Sequence, residues 1–138
     1  MKDGQYKVFV SHGSKDAWVA GQMAKEVRGA GALTFLDETD IPKGDNFKQR
    51  IQGEIAESDE LIALFTPWSA KRAWVWVEMG AAWGQGKPVV AAFYGMVVAD
   101  LEDSGQGKAI LEDINVMQLE EFEKYARELA VRVGRSHP

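Results

Sequence analysis

No cysteine occurs in the chain. A disulfide framework, a thiolate zinc site and a cysteine nucleophile are therefore excluded, and the composition fits the cytosol. Histidine is scarce as well. Only His12 and His137 are present, which excludes a multi-histidine metal site, and no carboxylate cluster stands in for one. The expectation is a metal-free protein. Long apolar runs are also missing. The longest, Pro88 to Ala99, falls well short of the roughly 20 residues a membrane-spanning helix needs. The opening MKDGQYKV lacks the apolar stretch of a signal peptide. Basic charge is not in excess: 16 Lys and Arg against 21 Asp and Glu give a net charge of −5. Binding to nucleic acid or to an anionic membrane through bulk charge is not expected.

What is present is an ordinary globular composition in 138 residues, 46% apolar and 27% charged. That suits a single domain, residues 1–138, with its core over 6–133 and short flexible ends. Tyr6 to Ser11 alternates and is β-rich, then stops at His12-Gly13-Ser14, which reads as a strand and a loop. Asp16 to Gly31 reads as a helix, because Val19, Ala20, Met23, Ala24 and Val27 recur at helical spacing. Ala32 to Leu36 is a second strand. The acidic, Pro- and Gly-containing stretch Asp37 to Asn46 is a loop. Phe47, Ile51 and Ile55 then step by four along a second helix.

Glu60 to Thr66 is a third strand, and Trp68 to Gly86 is mostly helical, with Ser69 able to cap it but Ala73 the better start. The continuous apolar stretch Pro88 to Tyr94 has the pattern of a strand covered on both faces. Gly95 to Ile110 is irregular with room for a short helix. Ile114 to Leu119 is a short fifth strand, and Phe122, Tyr125, Ala126, Leu129 and Val133 mark an amphipathic last helix. Five alternations of strand and helix predict an α/β, flavodoxin-like three-layer sandwich. Its five-stranded parallel sheet has the order 2-1-3-4-5, with helices on both faces. Ligands in such sheets sit beyond the carboxyl ends of the strands, where the order reverses between the first and third.

Familiar nucleotide motifs fail. GQGKP (84–88) and GQGKA (105–109) lack both the earlier glycine and the following Ser or Thr of a phosphate loop. No Gly-x-Gly-x-x-Gly follows the first strand, and no acidic pair marks a phosphoacceptor. The informative stretch is Trp74-Val75-Trp76-Val77-Glu78-Met79-Gly80-Ala81-Ala82-Trp83-Gly84. Glu78 is the one ionisable side chain between Arg72 and Lys87, and Trp74 lies four residues before it, on the same helical face. A carboxylate among Trp, Val, Met and small residues is poorly solvated unless it opens onto a cavity, and desolvation raises its pKa. An apolar site with one placed carboxylate suits a sugar ring developing positive charge. The same spacing also allows Glu78 to face water while the tryptophans fill the core, or the apolar surplus to form an oligomer surface.

His12 falls at the expected crevice, as a ligand contact or as a hydrogen-bonded loop residue. Gly13 and Ser14 offer backbone N–H groups and a hydroxyl for phosphate, and Ser14 is equally placed to cap the following helix.

Taken together the residues resemble the Toll/interleukin-1 receptor (TIR) family in its bacterial form. Lys7-Val8-Phe9-Val10-Ser11-His12 is similar to that family's opening strand. Phe35-Leu36-Asp37 with Pro42-Lys43-Gly44-Asp45 is similar to its second strand and BB loop. Leu64-Phe65-Thr66-Pro67 with Trp74-x-x-x-Glu78 is similar to its third strand and catalytic Glu. Order and spacing hold over Tyr6 to Val133.

The resemblance implies NAD⁺ as substrate rather than cofactor, cleaved at the nicotinamide–ribose bond to ADP-ribose or a cyclic isomer. It implies that Glu78 holds the ribose and steadies its cation, that Trp74 stacks on a ring of NAD⁺ and that Phe47 walls the pocket. Ser11, His12, Gly13, Ser14, Lys15 and Asp37 would line the nucleotide. It further implies self-association through the BB loop, Asp37 to Asn46, and the tryptophan-rich helix. A fused or separate effector and a role in bacterial anti-phage signalling complete the expectation. The chain departs from the family at Val75, where a cysteine is common, and at Gly13-Ser14, where some members are basic. Two alternatives stay open: a TIR–TIR interaction module without catalysis, and a nucleoside deoxyribosyltransferase-like enzyme acting on the same class of bond.

Overall fold

The computed structural model describes residues 5–36, 47–71, 73–101 and 108–136. Five parallel strands form one sheet: β1 Lys7–Ser11, β2 Leu33–Leu36, β3 Glu60–Phe65, β4 Val89–Phe93 and β5 Asn115–Gln118. Their order is β2-β1-β3-β4-β5, the flavodoxin-like order expected from the alternation of elements. Each strand lies within its expected segment. The helices are α1 Ala17–Gly29, α2 Phe47–Glu57, α3 Ala73–Gly84, the single turn α4 Lys108–Leu111, and α5 Phe122–Ser136.

Alternate residues of the inner strands face opposite layers, so the sheet has two cores. Val8, Val10, Ile62, Leu64, Val90 and Ala92 meet α1 and α5 through Met23, Ala24, Val27, Phe122, Tyr125 and Leu129. Phe9, Leu61, Ala63, Phe65, Ala91 and Phe93 meet α2 and α3 through Ile51, Ile55, Val75, Met79 and Ala82. The continuous apolar reading of β4 is explained by this, since both of its faces are covered. At the end of α1 the chain reverses at Gly31, whose φ of +101° favours glycine, and a Cβ there would lie 3.2 Å from Val133 of α5.

The third helix starts later than its longest reading. Ser69 belongs to a separate 3₁₀ turn, Ser69–Lys71, and α3 begins at Ala73. Ser69 is not its cap. Its hydroxyl accepts from the Thr66 N–H at 2.8 Å and donates to the Leu64 carbonyl at 2.8 Å, folding the chain back on the end of β3.

At the amino ends of the strands, Glu60 at the start of β3 is buried and fully engaged. Tyr6 donates to it at 2.6 Å and Tyr125 at 2.5 Å, while Arg132 forks onto both oxygens at 2.9 and 3.0 Å. This cluster fixes α5 against the sheet and leaves the opposite, carboxyl end for the site.

Candidate active site

β1 and β3 are neighbours, yet β1 leads through α1 to one side and β3 through α3 to the other, so their loops diverge at the carboxyl edge. Ser11, the last residue of β1, pairs in register with Ala63. Its hydroxyl donates to Oε1 of Glu78 at 2.5 Å. Glu78 is 0% exposed, and so is Ser11.

The buried face of α3 is Val75, Glu78, Met79 and Ala82, a helical i, i+3, i+4, i+7 set with the carboxylate inside it. The reading in which Glu78 meets water and the tryptophans fill the core is overturned. Trp74 is 36% exposed and Trp83 also reaches solvent, while Trp76 is half-buried against Phe65 and donates to the Ala70 carbonyl at 3.0 Å. Val75, Met79 and Ala82 pack into the layer between helix and sheet, and Glu78 is buried with them.

His12 is buried beside Ser11, and Gly13 is buried with little room, since a Cβ there would lie 3.3 Å from Ser69. Ser14 opens the 3₁₀ turn Ser14–Asp16 and is exposed; it does not cap α1. The N-cap of α1 is Asp16, whose carboxylate is turned away from the helix and accepts from Thr66 Oγ1 at 2.7 Å. Thr66 Oγ1 in turn accepts from the N–H groups of Trp68, at 3.2 Å, and Ser69, at 3.1 Å.

Asp16, Thr66 and Ser69 thus lock the β1 loop to the β3 loop. Sequence reasoning missed them. Their only local signal is the turn-forming Thr-Pro-Trp-Ser stretch, and the bond that matters spans 50 residues. Lys15 is exposed, with its ammonium 3.8 Å from the centre of the Trp68 ring.

The structure therefore brings Ser11 onto Glu78 at the reversal point, with His12 and Gly13 following Ser11 in the chain and Trp74 one turn before Glu78 on α3. Phe47 opens α2. Asp37 and the loop Asp37 to Asn46 lie outside the described residues. Chemically, a buried carboxylate that accepts from the Ser11 hydroxyl is suited to stabilising a nearby positive charge. Among the described residues no group of three or more His, Asp or Glu could hold a metal ion, and no helix is long and apolar enough to cross a membrane.

The TIR domain family model matches residues 8–130, nearly the whole chain. The chain belongs to the TIR domain family. Over 101 residues this TIR domain is 28% identical to a probable 2′ cyclic ADP-D-ribose synthase of Brachypodium distachyon, covering 72% of the chain and 45% of that protein. Its fold matches a metazoan TIR-STING receptor from C. gigas, solved with 2′,3′-cGAMP, with a TM-score of 0.72 and 17% identity. That match covers 94% of the chain and 41% of the receptor. The TIR domains of the activated Roq1 resistosome match with a TM-score of 0.62 and 19% identity, over 94% of the chain and 84% of theirs. This TIR domain spans less than half the length of the plant relative and of the receptor.

Proposed function

We propose that this TIR domain cleaves the nicotinamide–ribose bond of NAD⁺, giving ADP-ribose or a cyclic isomer of it, and that it does so in bacterial anti-phage signalling. The observation that carries the reading is Glu78, wholly buried at the β1–β3 reversal, held by Ser11 and one helical turn from an indole. Likeness to a probable cyclic ADP-ribose synthase supports it.

The chemistry needs only one carboxylate. Nicotinamide leaves from a nitrogen that already bears positive charge, so the electrons of the broken bond neutralise it and no general acid is required, unlike ordinary glycoside cleavage. The ribose carbon becomes the electron-poor centre. Glu78 faces it and stabilises it in a site from which water is largely excluded. A water oxygen then bonds to that carbon and releases a proton, giving ADP-ribose; an internal nucleophile gives a cyclic product instead. Trp74 stacks on a ring of the substrate, while Gly13, Ser14 and Lys15 meet the phosphates. Phe47 and Asp37 are proposed as further contacts of the substrate.

Because Glu78 has no exposed surface in the single chain, the site opens to substrate only on self-association through the BB loop and α3. Nicotinamide release per mole of protein is expected to rise with protein concentration, and Glu78→Gln, nearly isosteric, to lower turnover by a factor of about 100 or more. Mass spectrometry of the nucleotide then names the product. Equal turnover by wild type and Glu78→Gln would remove Glu78 from the chemistry.

A second reading, an interaction module without catalysis, draws on the exposed Trp74, Val77 and Trp83 of α3. Self-association with no nicotinamide release at any concentration would select it.

A further inference from the structure

Asp16 is a buried acid that bond cleavage at Glu78 does not use. It stands at the N-cap of α1, where an aspartate ordinarily accepts from helix N–H groups, yet its side chain makes no capping bond. The carboxylate takes the Thr66 hydroxyl instead, at 2.7 Å. The direction of that bond is fixed. Thr66 Oγ1 already accepts from the N–H groups of Trp68 and Ser69, and a hydroxyl has two lone pairs and one proton to give. The proton goes to Asp16 rather than to Ser69 Oγ, which lies at 3.5 Å.

This bond closes a ring that contains the reacting carboxylate. From Ser11 the chain enters a turn in which the Asp16 N–H donates to the Gly13 carbonyl at 2.9 Å. Asp16 holds Thr66, whose carbonyl accepts from the Ala70 N–H at 3.0 Å. The Ala70 carbonyl accepts from the Trp76 indole N–H at 3.0 Å, two residues before Glu78. Glu78 then returns to Ser11 through the 2.5 Å bond. Within the ring, the Asp16–Thr66 bond is the link that joins the β1 loop to the β3 loop.

We propose that Asp16 and Thr66 are positioning residues for the Glu78 carboxylate, acting through the ring that ends in the Ser11–Glu78 bond. Apolar packing holds β1 and α3 side by side but has no direction, whereas a closed set of hydrogen bonds fixes where an oxygen points. A carboxylate suits the joining position because it is a stronger acceptor than a neutral oxygen. That the pair serves catalysis rests on the cleavage reading; that it sets the Glu78 carboxylate does not.

Asp16→Ala, with Asp16→Asn as the variant that keeps an acceptor oxygen, tests the proposal in two ways. The side-chain carboxyl ¹³C resonance of Glu78 needs no substrate. In Asp16→Ala it should move towards its position in Ser11→Ala, and in Asp16→Asn it should stay near that of the wild type. In steady-state kinetics with NAD⁺, Asp16→Ala should lower kcat by about tenfold or more and change KM by less than about threefold, since a displaced carboxylate loses stabilisation made only in the transition state. Added to Ser11→Ala it should cost little more, because both changes act through one bond. Thr66→Val breaks the same link from the other loop and stands in if Asp16→Ala does not fold, while Thr66→Ser, which keeps the hydroxyl, should behave as wild type. A Glu78 resonance that stays put in the variants lacking the link overturns the proposal whether or not NAD⁺ is cleaved. An unchanged kcat, or a loss that adds in full to that of Ser11→Ala, overturns it as well. A wild type that releases no nicotinamide while the resonance moves as expected ends the cleavage reading and leaves the positioning in place.

Discussion

A carboxylate with no exposed surface is held in place by what touches it, and for Glu78 that includes the hydroxyl that ends β1. Ser11→Ala removes that hydrogen bond and is therefore expected to lower kcat/KM for NAD⁺ by about tenfold or more, the effect of one hydrogen bond to a charged group. Ser11→Thr, which keeps the hydroxyl, should restore most of the rate. An undiminished rate in Ser11→Ala would mean that the serine merely fills space. Trp74 is a different case. With over a third of its surface in solvent, Trp74→Ala should raise KM by about tenfold through lost stacking while Tm moves little. Measuring both quantities on one preparation separates binding from folding.

At the level of whole elements, the cluster around Glu60 decides how α5 sits on the sheet. Burial, then the Glu60 charge and hydrogen bond, push the phenols of Tyr6 and Tyr125 well above the ordinary tyrosine value of about 10. The unfolded chain ionises these groups near that ordinary value, whereas the folded one keeps their protons. Their contribution to stability is therefore complete below about pH 10 and is lost as pH rises further. Chemical denaturation from pH 8 upward should show stability falling above about pH 10, and Tyr125→Phe should flatten that fall. At neutral pH the same variant should cost about 1.5–3 kcal/mol, since Glu60 loses one of its donors.

None of this cluster was legible in advance, because it joins residues 6, 60, 125 and 132 from three distant segments of the chain. The strands were legible, since alternation and apolar runs mark them directly. The orientation of α3 was not. Its residues are apolar nearly all round, so spacing names no inner face, and only the packing of Val75, Met79 and Ala82 against the sheet turns Glu78 inward.

For the molecule as a whole, that orientation has a consequence: the side chains too large for the interior stand on the surface. Four of the five tryptophans are exposed, and on α3 Trp74, Val77 and Trp83 share the outside with no charged neighbour on their own helix except the buried Glu78. Apolar area of this kind is more than a solvated helix needs, and it suits burial against another chain. Val77 is the useful position to change, being half exposed, outside the core and outside the proposed substrate contacts. Val77→Glu should change stability no more than ordinary surface substitutions do, about 0.5 kcal/mol, because no packed group is disturbed. It should nevertheless hold the protein at monomer mass in sedimentation at concentrations where the wild type associates. Nicotinamide release at those concentrations should then fall with the loss of association, although residue 77 touches no substrate. A monomeric Val77→Glu with undiminished turnover would show that the site around Glu78 opens without help from a second chain.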